Sequence, residues 1–238
     1  MTNLIKYLQL STIVFLCFNI ELLAKPFQST YEPLPPINLL IQNANIYDGE
    51  GNEFQQTDLL IQDRKIIAIG KDLPVSDSFQ VIDATGKWIT PGIIDIHSHM
   101  GVYPAPGVST SSDGNEATSP VTADVWAEHS MWVQDPQYTL ALSGGVTAFH
   151  VLPGSANLIG GRGVTVKNLQ RNTINSMKFP DAPHSLKMAC GENPKRVYGN
   201  RQQAPSTRMG NIAGYRKAWI EAEGYLNRLN EYESKSEE

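Results

Sequence analysis

From Leu39 onward, apolar and polar side chains trade places in short runs broken by turn-forming residues. "LLIQNANIYDGEGN" reads as a strand closed by a glycine-rich turn, and "DLLIQ" and "KIIAIG" flank a turn at Asp63 and Arg64 in the manner of a hairpin. "FQVIDATGKWITPG" adds a strand, a turn at Thr85 and Gly86, and another strand running into Pro91 and Gly92. Several β segments in succession without a helix between them predict a small sheet or sandwich over residues 37–91.

The pattern changes at Gly92. "GIIDIHSH" is a nearly continuous apolar run, the mark of a strand buried on both faces. A Gly/Pro/Ser-rich loop from Gly101 to Ser119 follows, then a helical run over "SPVTADVWAEHSMWV", with Ser119 as cap and Pro120 at the first helical position. "GGVTAFHVLPG", "GVTVKNL" and "HSLKMACG" read as further buried strands, and the stretch from Arg208 to the end as a polar helix that stops on charges. Strands separated by long loops and helices predict a βα arrangement over residues 92–238, hence an α/β fold.

The first residues set an expectation about compartment. "MTNLIKYLQLSTIVFLCFNIELLAKPF" places Lys6 ahead of an apolar stretch and ends that stretch at Leu22, Leu23 and Ala24, which is signal-peptide order over residues 1–24, with a linker over 25–36. Asn19 and Glu21 interrupt the apolar run and leave it short of the roughly 20 residues of a spanning helix. An exported protein, periplasmic or extracellular and without a stable membrane span after cleavage, is therefore expected. Cleavage would remove Cys17 and leave Cys190 alone, so no internal disulfide is expected.

Composition narrows the partners. A chain of 238 residues that is 41% hydrophobic and 18% charged is globular, and a net charge of -5 supplies no electrostatic reason to bind nucleic acid or an anionic membrane. Small-molecule or peptide substrates fit better.

The candidate chemistry lies in "WITPGIIDIHSHMG". Side chains in a strand alternate, so Asp95, His97 and His99 are expected on one face, where two imidazoles at that spacing can share one ion. Two structural histidines on a strand are the competing reading at this point. The order of "LLIQNANIYDG", "DLLIQDRKIIAIG" and "VIDATGKWITPGIIDIHSHMG" resembles the amidohydrolase superfamily, with the Pro-Gly followed by Asp-x-His-x-His as the specific part. Further along, "GGVTAFHVLPGSANLIGGRG" and "LKMACGENPKRVYG" are similar to exported amidohydrolases related to imidazolonepropionase, so that the likeness spans about Leu39 to Gly199.

That resemblance implies an N-terminal β-sandwich segment joined to a (β/α)8 barrel of the TIM type, and a metal-activated water that hydrolyses amide, cyclic amide or peptide bonds. His97 and His99 would then be the first-strand ligands of a divalent metal: zinc, with manganese, iron or nickel as the other candidates. Asp95 is expected to support them by hydrogen bonding. A third ligand is expected from a middle strand, either a glutamate or a lysine carboxylated on its amine. If the strand in "SLKMACGENP" ends near Gly191, Glu192 stands at its mouth and is preferred, with Lys187 as the alternative.

Other residues carry two readings each. Arg162 is expected either to bind a substrate carboxylate or to be a solvated loop arginine, and His150 either to face the barrel mouth or to satisfy a backbone carbonyl. His129 and His184 read as structural.

The resemblance also implies two later histidines and a proton-shuttling aspartate, but no histidine follows His184. Only 139 residues follow His99, against roughly 250 for a whole barrel. The expectation is an incomplete barrel, inactive by itself, that pairs with a missing C-terminal half or forms a homo-oligomer. The competing expectation is a non-catalytic module that joins another chain through its open edge.

Overall fold

The computed structural model describes residues 26–74 and 76–236. The expected leader, residues 1–24, lies outside them. No helix among the described residues is long and apolar enough to cross a membrane.

The first unit is one five-stranded sheet: β1 (Leu39–Tyr47), β2 (Glu53–Gln62), β3 (Lys65–Gly70), β4 (Gln80–Asp83) and β5 (Trp88–Ile89). β1 lies at its middle, antiparallel to β2 and parallel to β4 and β5. β2 and β3 form the expected hairpin, with Gln62 opposite Lys65. Asp63 and Arg64 both take positive φ, 50° and 66°, the primed-turn geometry whose twist matches that of paired strands. Buried Asp58 ties the sheet together, its carboxylate accepting Asn43 N–H (3.1 Å) at an irregularity in β1 and Leu73 N–H (3.2 Å). Ala44, Ile46, Leu59 and Ala84 form the core on this side.

The second unit is mixed α/β. β6 (Ile93–Ser98), β7 (Val146–Val151) and β9 (Val164–Lys167) make one sheet in the order β6-β7-β9, while β8 (Ile159–Arg162) and β10 (Leu186–Met188) pair separately. β6 and β7 run parallel, as a βα connection requires, and α1 (Gln137–Ser143) lies on that connection. Phe149, Val151, Val164 and Val166 meet Val102, Tyr138 and Met177 in the main core. Lys178 and Glu128 form an ion pair within this unit at 2.5 Å, both side chains almost wholly buried. Lys178 Nζ also donates to Phe27 O, which ties the segment before β1 to this unit.

The helix expected over Ser119–Val133 is not formed. Val121 and Trp126 instead bridge to Ile159 and Arg162, with a short 3-10 turn at Ala127–His129. The reason is tertiary. Thr122 N–H donates to Ile159 O (2.8 Å) and Arg162 N–H to Val125 O (2.8 Å), so β8 supplies the backbone partners that a helix would have found within itself. Val121, Thr122 and Val125 are β-branched and give up little helix propensity in the exchange. The actual helix begins later, after Pro136, where Asp135 Oδ1 accepts Gln137 N–H (3.0 Å).

β6 also departs from the expectation of burial on both faces. It is an edge strand that pairs with β7 alone, and Ile94 and Ile96 are 64% and 78% exposed. β10 stops at Met188, short of Gly191, and α2 (Glu192–Gly199) begins immediately after. The polar C-terminal helix forms as expected: α3 (Arg208–Ser236) is anchored near its start by Asn211, whose amide donates to the carbonyls of Cys190 and Gly191.

Candidate metal centre

His97 lies near the end of β6 and His99 one residue beyond it. Their rings approach edge to face, 5.2 Å between centroids at 83°. His99 Nδ1 is 2.8 Å from Leu152 O. A carbonyl only accepts, so Nδ1 carries the proton and Nε2 keeps its lone pair free, the tautomer that a metal-binding histidine needs.

Asp95 supports this turn through the backbone. Its Oδ1 accepts the N–H of His97 at 3.0 Å. A register irregularity between Asp95 and Ser98 interrupts simple alternation, so the shared-face argument does not run unbroken through these residues.

The third member of the cluster comes from β10. Lys187 Nζ is 3.2 Å from His97 Nε2. The lysine is 9% exposed, and no acidic side chain among the described residues forms an ion pair with it. Burial lowers the pKa of Lys187. That of His97 is lowered too, first by the charge of Lys187, then by burial and by His99, with Asp95 opposing. The centre as it stands is therefore a set of basic nitrogens short of negative charge. No group of three or more His, Cys, Asp or Glu side chains gathers at one point among the described residues. Two imidazoles and a lysine amine are what converge here.

The remaining candidates lie elsewhere. Glu192 opens α2, exposed, and pairs with Arg196 at 2.8 Å. Arg162 stacks on Trp126, its guanidinium 4.6 Å from the ring centre, and its Nε reaches Ala123 O at 3.5 Å. His184 Nδ1 donates to Gly163 O (2.8 Å) with its ring edge-on to Trp126, and His129 lies 3.6 Å from Glu128. His150 meets no backbone carbonyl: Nδ1 is 2.9 Å from Thr165 Oγ1 and Nε2 2.6 Å from Ser185 Oγ. Thr165 and Ser185 escape sequence reasoning because isolated hydroxyls carry no spacing signal. Only the pairing of His150 opposite Thr165 across β7 and β9 brings the first of them in.

No family model matches the chain. It is similar to the amidohydrolase tasK of Hapsidospora irregularis, 34% identical over 219 residues, covering 81% of this chain and 22% of that protein. A dihydroorotase of Thermoanaerobacter sp. is 39% identical over 83 residues, 35% of this chain and 19% of the relative. Among solved structures, an amidohydrolase from Thermotoga maritima superposes with a TM-score of 0.73 at 39% identity, covering 81% of this chain and 49% of that one. The chain thus spans about half the length of that solved relative and about a fifth of the two curated ones.

Proposed function

The chain belongs to the amidohydrolase superfamily, and from that premise we propose that it carries the metal-binding part of a hydrolase acting on C–N bonds of amide, cyclic amide or peptide type. His97 and His99 serve as imidazole ligands. Lys187 serves as the third ligand after its amine has added carbon dioxide, and it replaces Glu192, whose carboxylate is spent on Arg196 at the surface.

One observation carries this reading: a buried lysine with no acidic partner among the described residues ends 3.2 Å from an imidazole nitrogen. Burial favours the neutral amine. A neutral amine forms a bond from nitrogen to the carbon of CO2, opens one C=O π bond onto oxygen and releases one proton, leaving a carbamate. The position that held an uncharged amine then holds an anion, which with two imidazoles makes a donor set suited to zinc, manganese, iron or nickel. A divalent ion bound there would lower the pKa of a water and polarise the scissile carbonyl.

The protein's own groups divide the remaining work. Leu152 O fixes the tautomer of His99, and Asp95 holds the backbone of His97. The carboxylate beside the histidines is that of Asp95, and its Oδ1 is engaged by the His97 N–H. Turnover on this reading needs groups beyond the described residues. A second reading, a metal-binding module that pairs with another chain, is favoured by one feature, the exposed Ile94 and Ile96 on edge strand β6.

The test measures metal content and turnover of the full chain in bicarbonate buffer, with zinc or manganese, against N-acyl amino acids, dipeptides and cyclic imides. Each assay is run with and without the C-terminal half of a homologous amidohydrolase. Metal binding with turnover only on mixing supports the hydrolase reading. Metal binding without turnover in either case favours the pairing module. A chain that takes up no metal overturns both.

A further inference from the structure

The strand that carries Lys187 and the strand that carries His97 belong to different sheets. β10 pairs with β8 over three residues, with an irregularity at Lys187 and Met188, while β6 pairs with β7. No ladder of backbone hydrogen bonds joins the two strands directly, so the distance between the two nitrogens depends on other ties.

One side-chain tie is His150; His184 Nδ1, donating to Gly163 O at 2.8 Å, is another. His150 projects from β7, the central strand of the sheet that holds His97, and its Nε2 lies 2.6 Å from the hydroxyl of Ser185, the residue just before β10. Its Nδ1 meets Thr165 Oγ1 on β9 at 2.9 Å, which fixes the ring plane. The other end is fixed as well, because Gly163 N–H donates to Ser185 O at 3.0 Å. A Cβ on Gly163 would stand 2.6 Å from Ser185 Oγ and 2.8 Å from His150 Nε2, so a residue without a side chain at 163 leaves the space that this hydrogen bond occupies.

We propose that His150 is a positioning residue for the metal centre: through Ser185 it sets the register of the Lys187 strand against His97, and through Thr165 it holds its own ring in place. Burial, with His184 and His97 adding to it, lowers the pKa of His150 and keeps the ring neutral. A neutral imidazole offers one donor and one acceptor, which suits two hydroxyls that can each turn to either role.

The inference rests on the carboxylated-lysine reading, and the test separates the two. The full chain, wild type and with His150→Ala, Ser185→Ala and both, is titrated with Co(II) against a chelator, and carbamate at Lys187 is followed by carbon-13 NMR in labelled bicarbonate. Each single change should lower Co(II) affinity about 10–100-fold, the usual effect of an outer-sphere partner, and weaken the carbamate signal. The double change should be no worse than the worse single one, because both break one strut. Ser185→Ala removes one oxygen and carries the test if His150→Ala does not fold. Wild-type affinity and carbamate in the Ser185 variant, or additive losses in the double variant, overturn the positioning role alone. A wild-type chain that shows neither Co(II) binding nor carbamate overturns the metal-centre reading, and this inference with it.

Discussion

Lys187 Nζ stands 3.2 Å from His97 Nε2 although 90 positions separate the two residues in the chain. Two basic groups this close form a hydrogen bond only if one of them gives up its proton. Both have lowered pKa values, His97 chiefly through the charge of Lys187, and Lys187 through burial. The contact is the meeting of two separate sheets, β10 with β8 and β6 with β7.

On the proposed reading, Lys187→Met should abolish stoichiometric metal uptake in a chain that still folds, since it removes the amine that lies 3.2 Å from His97 Nε2. Glu192→Gln should leave uptake unchanged and alter stability by no more than about 0.5 kcal/mol, as for an ordinary surface site. Elemental analysis beside chemical denaturation reads both. Loss of metal in the Glu192 variant with retention in the Lys187 variant would reverse the assignment.

Replacing His97 and His99 together by Ala should bring metal content to background. His99→Ala alone should also free the Leu152 carbonyl that its Nδ1 now satisfies, at a cost of about 1–3 kcal/mol if that oxygen stays dry. Unchanged metal content in the double variant would take these histidines out of the site.

Stability should fall as the solution becomes acidic, partly through His150. Its folded pKa is held below the ordinary histidine value of 6.5, first by burial. The unfolded chain therefore binds more protons as pH drops, so the contribution of His150 is fully present above the ordinary value and is lost as pH falls toward the folded one. The lowered pKa of His97 acts in the same sense. Denaturation midpoints measured from about pH 7 to about pH 5 should decline less steeply in His150→Gln than in the wild type. Identical slopes would count against a neutral, buried His150.

Lys178→Met should be among the most damaging substitutions away from the centre. It leaves Glu128 charged and buried, the side chain only 1% exposed, without the ammonium that now lies 2.5 Å away. Breaking such a pair from one side costs about 3–5 kcal/mol. Replacing Glu128 by Gln as well should recover part of the loss, and equal stabilities for wild type and Lys178→Met would refute the ion pair's role.

Export is the remaining expectation to test. The mature protein should begin near Lys25 and be recovered outside the cytoplasm, and N-terminal sequencing of the product decides it. A cytoplasmic product that retains Met1 would rule out the leader.

Several features were legible in the residues because they depend on near neighbours. The hairpin at Asp63 and Arg64, the strand that carries His97, the tight turn at Gly86 (φ +75°) and the long polar helix α3 all follow from periodicity and turn chemistry. The side-chain acid of Asp95 two residues before His97 was likewise readable as a support for it, and its Oδ1 accepts the His97 N–H. Tertiary structure decided the rest: that Ser119–Val133 pairs with β8 instead of coiling into a helix, that β10 ends at Met188 so that Lys187 and not Glu192 reaches His97, and that His150 is satisfied by hydroxyls of Thr165 and Ser185. The physical reason is range. Side-chain alternation and turn preferences act over a few residues, whereas the partner of a backbone N–H or a buried amine is set by where another sheet comes to lie, which no local pattern encodes.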